Sequence, residues 1–314
     1  MLRHCPVHMP HRQQGVAIVV AILIVALAVI AGTSVIMHLS NWESLVRAEM
    51  SRAQLKQVAL GGLMWARTAL RNDAAQNNVD HLDEFWNTEL PLSTAEGDVE
   101  IGGSIADRQG FFNLANLLNE DGSVNERSYL GFVRMLQALD LPITLADALI
   151  DWTTPSSVSR RTGAPKDAAY LASTPPYFSA NRRLTELANL RFINGYTADI
   201  IGRLEPYVTV LPRITRVNVN TAPAVVLLAY VPGLTLDEAR TIVSGRKVYF
   251  RDETDFRTRL PRKDLAFNHN DIGVATNFFL VRVSVRRGSD LMKLNALIER
   301  VAQNAPTIVW EKFE

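Results

Sequence analysis

Residues 16–37 constrain this chain more than any other stretch. From Val16 to Met37 no side chain is charged, and most are Val, Ile, Leu or Ala. A helix rises about 1.5 Å per residue, so the run reaches about 33 Å, against about 30 Å for the hydrocarbon core of a bilayer. Ahead of it lies a short leader, residues 1–15, with Arg3, Arg12, three histidines (His4, His8, His11) and the ending Gln13-Gln14-Gly15. Positive charge before an apolar run holds that end in the cytoplasm and sends the C-terminal side outward. Three fates are open to such a segment. It can be a secretory signal cut near Val29-Ile30-Ala31, a plain anchor, or a helix released from its leader by cleavage directly after Gly15 and kept on the mature chain.

The helical pattern does not stop at Met37. Leu39, Trp42, Val46, Met50, Ala53, Leu60, Leu63, Met64 and Leu70 recur at helical spacings, with Glu43, Arg47, Glu49, Arg52, Lys56 and Arg67 mostly between them. No proline interrupts the run as far as about Asn72, and Gly61-Gly62 marks a bend or a close packing. The spacing predicts one helix of about 55 residues, about 80 Å long, apolar all round at first and amphipathic afterwards. The rest of the chain can bury a core of its own, because 47% of the sequence is hydrophobic and 21% charged. The formal net charge of +1 gives no general attraction to nucleic acid. Cys5, in the leader, is the single cysteine, which excludes a disulfide scaffold and cysteine metal sites.

This beginning resembles the type IV pilins and pseudopilins. The resemblance implies a prepilin peptidase that cuts after Gly15 and leaves Val16 as a methylated N-terminal residue. The fifth mature position, commonly glutamate in that family, is Val20 here. A carboxylate in an apolar helix bundle costs several kcal/mol unless paired. A subunit without it suits the end of a fibre, where no neighbouring amine waits to be paired.

Beyond the helix, a polar stretch (77–96) leads into residues 97–107, where Val99, Ile101 and Ile105 suggest a strand or hairpin. Residues 111–275 read as mainly helical, with candidate helices at 125–139, 144–151, 183–190, 198–204, 223–230, 236–244 and 253–259. At the C-terminal end Val281, Val283 and Val285 alternate with Arg282, Ser284 and Arg286, the pattern of a strand. Residues 292–298 alternate as a returning strand, although Leu291, Leu294, Leu297 and Ile298 also fit a helix, and residues 307–310 suggest a third strand. The predicted fold class is α+β: a long N-terminal α-helix packed on an antiparallel sheet, with a large inserted α-helical domain of helical-hairpin, SAM-like type. The expected divisions are residues 1–15 (leader), 16–37 (transmembrane and assembly helix), 38–110, 111–275 (insert) and 276–314.

Three pieces are specific: residues 141–152, ending Ile150-Asp151-Trp152; residues 174–187, beginning Thr174-Pro175-Pro176-Tyr177; and residues 217–224, Val-Asn-Val-Asn-Thr-Ala-Pro-Ala. Together with the leader and residues 107–113 they resemble the K-type minor pseudopilins of type II secretion systems, in order and over essentially the whole chain. The resemblance implies an inner-membrane protein of a single pass, its C-terminal domain in the periplasm. It also implies I and J minor pseudopilins, other pseudopilins and the prepilin peptidase as partners, and a place at the tip of the pseudopilus, helping to start its assembly. It further implies calcium held by acidic loops near the Asp-Trp element. Asp151 and Asp167 are the carboxylates available there, and Thr153-Thr-Pro-Ser-Ser157 between them has none.

Residues 220–240 have the outline of a helix-hairpin-helix. DNA-binding versions present backbone N–H groups to a phosphate through a Gly-hydrophobic-Gly hairpin. Here the hairpin is Gly233-Leu234-Thr235, without the second glycine and without a dense basic cluster. A membrane-tethered DNA receptor and a minor pilin of a true type IV pilus therefore stand as alternatives, and the primary reading includes no nucleic-acid partner. No Gly-x-Ser-x-Gly, His-Glu-x-x-His or phosphate-binding glycine loop is present, and no enzyme activity is expected.

Overall fold

The computed structural model describes residues 14–156, 158–160, 163, 166–301 and 305–314. Most of the expected leader, residues 1–13, lies outside them. Helix α1 runs unbroken over Gln14–Ala74. The chain divides into two units, one ending at Gln57 and the other spanning Val58–Glu314. In the first unit, residues 16–50 of α1 are exposed on every face. That segment is long and apolar enough to cross a membrane.

In the second unit, α1 turns Ala59, Leu63, Ala66 and Leu70 inward. These spacings of three and four residues define one helical face. A Cβ added at Gly62 would stand 2.9 Å from a Val283 methyl group, while Gly61 faces open space. The glycine pair is thus a close packing and not a bend.

After α1 come β1 (Leu90–Glu96) and β2 (Val99–Asp107). Next are β3 (Phe112–Asn113), α2 (Glu126–Ala138), α3 (Thr144–Thr153), α4 (Ala168–Leu171), α5 (Ala198–Leu204), β4 (Val208–Thr209) and β5 (Val217–Asn218). Then come α6 (Ala224–Tyr230), α7 (Leu236–Ser244), α8 (Glu253–Thr258), β6 (Ile272–Gly273), β7 (Phe278–Arg287), β8 (Asp290–Glu299) and β9 (Thr307–Phe313). The main sheet has the order β1-β2-β7-β8-β9 and is antiparallel throughout. Val281, Val283 and Val285 are buried and pair with Ala296, Leu294 and Met292. The period-2 pattern decides in favour of strand for residues 290–299, against the helical alternative.

β2 and β7 are neighbours in the sheet but far apart in sequence. Their ladder runs from Val99 opposite Arg287 to Asp107 opposite Phe279, and the chain between Asp107 and Phe278 forms the helical lobe. The lobe has its own core, in which Phe112 stacks on Phe132 at 5.4 Å and Phe250 meets Phe256 edge-on at 5.0 Å. Helices 198–204 and 236–244 form as predicted. α7 begins with the reciprocal cap that its sequence announces: Thr235 Oγ1 accepts from the Glu238 N–H, and Glu238 accepts from the Thr235 N–H.

Helix α4 and the two-residue strands β3 to β6 were not expected from the sequence, and two further stretches differ from their reading. Residues 183–190 do not form an α-helix; a 3-10 turn over Leu187–Phe192 replaces it. Ahead of that turn, the Arg183 guanidinium donates to the carbonyls of Ala115, Leu118 and Asn119. β1 arises within the stretch read as merely polar. It is an edge strand of largely exposed residues that includes Pro91, so alternation gives no signal there.

Candidate functional site

The two most distinctive sequence pieces, residues 107–113 and 218–223, come together as the joint between lobe and sheet. Asp107 closes β2 and is buried. Its Oδ1 accepts from the Gln109 N–H at 2.6 Å; its Oδ2 accepts from Asn218 Nδ2 at 3.0 Å and Thr221 Oγ1 at 2.5 Å. Asn218 Nδ2 also faces the Asp80 carbonyl at 3.0 Å and Thr276 Oγ1 at 3.1 Å. Gln109 ties the Arg216 carbonyl to the Asn277 N–H. Asn220 spans both backbone groups of Phe250, and Asn113 with Asn116 does the same for residues 211–215. A Cβ on Gly110 would lie 2.5 Å from Thr221 Oγ1, so only glycine lets these two turns approach. Buried amides here replace a sheet ladder, satisfying backbone groups that irregular segments would otherwise orphan.

Arg300, at the end of β8, completes the joint. Its guanidinium donates to Asp73 at 2.6 Å, to both Asp80 oxygens at 2.5 and 2.6 Å, and to the Thr276 carbonyl at 2.8 Å. It lies 4.7 Å from the centre of the Phe279 ring. Burial pushes the Asp80 carboxyl up to about 7, with the Arg300 charge working against the rise. Burial also raises Asp107, opposed by the hydrogen bonds it accepts from Thr221 and its neighbours. Asp73, Asp80 and Glu84 bring carboxylate oxygens within 4.8 Å of one another. The cation among them is Arg300, and Glu84 is bonded to the Trp86 indole at 2.7 Å. Arg300, Asp80 and Thr276 went unremarked in the sequence, because Arg300 and Asp80 lie 220 residues apart.

The sequence-named site residues fall elsewhere. Gly15 and Val16 stand in the first turns of α1, with no acidic residue in the opening turn. Val16 is 64% exposed and Val20, one turn on, 47%. Asp151 lies in the last turns of α3 and is buried, its Oδ2 accepting from Ser159 Oγ at 2.5 Å and its Oδ1 from the Arg160 N–H at 2.7 Å. Asp167 Oδ1 accepts from the Ser179 N–H at 3.0 Å. Between the two stands Lys166, whose Nζ donates to the carbonyls of Asp151 and Thr154 and to Asn181 Oδ1. Calcium requires six to eight oxygens, several of them carboxylate. These residues do not fit it: the converging oxygens already serve an ammonium, and both carboxylates are turned to other donors.

The hairpin between α6 and α7 turns at Gly233, with φ of +82°. Its helix start presents Asp237 and Glu238, and Arg262 bonds both Glu238 and the Gly233 carbonyl. The N–H of Thr235 is taken by the Glu238 carboxylate, and that negative end opposes a phosphate.

A helix with an exposed apolar N-terminal half, an antiparallel sheet on its C-terminal half, and a helical lobe between two neighbouring strands define a pilin-type subunit with an enlarged head. The family "Type II secretion system (T2SS), protein K" matches residues 110–213 and again residues 217–275. The chain is 30% identical over 309 residues to type II secretion system protein K of Klebsiella pneumoniae, covering 93% of this chain and 94% of that one. It is 29% identical to the protein K of Pseudomonas aeruginosa, over 92% of this chain and 89% of that one. A chain in the crystal structure of the GspK-GspI-GspJ complex of enterotoxigenic Escherichia coli superposes with a TM-score of 0.74. That match has 21% identity and spans 86% of this chain and 99% of that one, and it shows the shared fold. The chain belongs to the family of type II secretion system protein K, a minor pseudopilin and structural component of the secretion machinery.

Proposed function

We propose that the chain caps the tip of the type II secretion pseudopilus and helps to start its assembly. The observation that carries this reading is where the lobe leaves the sheet. It departs at the Asp107–Phe279 end of the ladder, where Arg300 also grips Asp73 in the last turn of α1. A pseudopilus packs subunits through their long helices, so a subunit stacked further along would have to sit on that end. The lobe fills it.

In this reading a prepilin peptidase cuts after Gly15, and the helix from Val16 is held in the inner membrane before packing with sibling helices. The head stands in the periplasm. Val20 leaves the opening turns without the carboxylate that an adjoining amine would pair with, as suits a terminal subunit. The E. coli relative was crystallised with GspI and GspJ. The equivalent I and J minor pseudopilins are the partners we assign to this chain. The role is assembly and not catalysis, and the acidic start of α7 argues against a DNA receptor.

Immunogold labelling of the head on sheared pseudopili tests the cap. Gold at one end of each fibre is expected; gold along the length overturns the reading.

A further inference from the structure

The end of α3 and the segment beyond α4 meet at a cation of the chain's own, Lys166. Lys166 is only 7% exposed. Its Nζ lies 3.0 Å from the Asp151 carbonyl and also donates to the Thr154 carbonyl and Asn181 Oδ1. An ammonium carries three N–H donors and no acceptor, so these three oxygens saturate it. They come from separate stretches, the end of α3 and the segment beyond α4. Asn181 is fixed there by a left-handed backbone, with φ of +53°, and by its N–H, which donates to the Trp152 carbonyl at 2.9 Å. Asparagine is among the few residues that adopt that conformation readily.

The flanking charges match a single positive centre. Burial works against the charged lysine, while Asp167 and Asp151 both favour it. The nearby Arg160 guanidinium is committed elsewhere, to Glu126 at 2.8 and 3.0 Å. A divalent ion would have to displace the ammonium, recruit several more oxygens, and pull Asp151 from Ser159 and Arg160 and Asp167 from Ser179.

We propose that Lys166 is the resident cation of this meeting point, holding Asp151, Thr154 and Asn181 together where a bound calcium ion would otherwise be needed, so that the head folds independently of calcium. The resemblance to K-type pseudopilins led to the opposite expectation, and the disagreement lies in this one side chain.

The test uses the full-length protein in detergent, unfolded thermally in EGTA and in millimolar calcium chloride. The wild-type midpoints are expected to coincide. Lys166→Met keeps the aliphatic stem and removes the charge, and is expected to lower the midpoint by about 2–8 °C in both buffers. Terbium luminescence sensitised by Trp152 gives a direct reading, and no signal displaced by calcium is expected from the wild type. A wild-type midpoint that rises with calcium, and no longer does so in Asp151→Asn, overturns the proposal. So does Lys166→Met melting like the wild type in EGTA. A calcium response that survives Asp151→Asn places an ion elsewhere in the protein and overturns the independence from calcium. If Lys166→Met fails to accumulate, the wild-type calcium titration and the terbium signal still decide.

Discussion

The sheet and its joint to the helical lobe are held by opposite means. In the sheet, Val281, Val283 and Val285 are buried, Val283 lies against Gly62 of α1, and the backbone pairs with itself over long ladders. In the joint, ladders shrink to two-residue bridges, and Asp107, Asn218, Asn220, Gln109 and Arg300 carry the bonding. Apolar packing tolerates volume-conserving change, whereas a buried polar network fails when one member is lost. The comparison predicts that the lobe is bound to the body less forgivingly than the body is bound to itself.

Arg300→Met is the severest way to break the contrast. It leaves Asp80 and Asp73 without their cation, and losing one partner of a buried pair costs about 3–5 kcal/mol. The loss, read from urea unfolding of the detergent-solubilised protein, should be larger at pH 8 than at pH 5, where Asp80 takes up a proton. A loss under about 1 kcal/mol at pH 8, the scale of an exposed pair, would show that the joint is not held by charge. Next, Asp107→Ala and Asn218→Ala should each cost about 1–3 kcal/mol by orphaning buried partners. Because they share a bond, the double variant should fall short of the sum by about 0.5–3 kcal/mol. Strict additivity would dissolve the network into separate contacts.

The sheet side has a matched pair of its own. Gly62→Val drives a side chain into Val283 and Ile101 and should cost about 1–3 kcal/mol. Gly61→Ala meets nothing and should add up to about 1 kcal/mol, as alanine does for glycine in a helix. Equal effects would mean that α1 does not rest on the sheet through Gly62.

These two regions were unequally legible in the sequence. The valines of β7 declare a strand by alternation, and Thr235 with Glu238 declares the start of α7, because both signals are local. The joint was visible only as unusual wording, at residues 107–113 and 217–224, with no indication that the two would touch. Arg300 reads like any charge after a strand, and Asp80 like any acid in a polar stretch. Lys166 is equally mute: nothing near it says that Asn181 will supply an oxygen. Long-range polar pairing has no period, so pattern reading misses it.

Titration separates the regions further, with a smaller effect. Asp80 and Asp107 have carboxyls raised in the folded state, so the native protein binds their protons more tightly than the unfolded chain does. Their contribution is complete below the ordinary carboxylate range, near pH 4, and for Asp80 it is lost as pH rises through about 7. Each such proton gives a slope of at most about 1.4 kcal/mol per pH unit within that window. Asp80→Asn should flatten the decline between pH 5 and 7. A stability that climbs over this range would reverse the assignment.

The smallest expected effect comes from repeating the arginine experiment on the sheet's surface. Arg286 on β7 faces Glu100 on β2 at 2.6 Å, as short a contact as Arg300 makes with Asp73. The distances are alike and the surroundings are not, since Arg286 stands in solvent and Arg300 is buried. In water the pair is screened, its ordering costs side-chain entropy, and loss of the arginine leaves Glu100 free to hydrate. Arg286→Ala should therefore leave the unfolding midpoint unchanged, with no dependence on salt. A loss approaching that of Arg300→Met would mean that proximity of charge, and not burial, sets the strength of these pairs. The distinction drawn between sheet and joint would then fail.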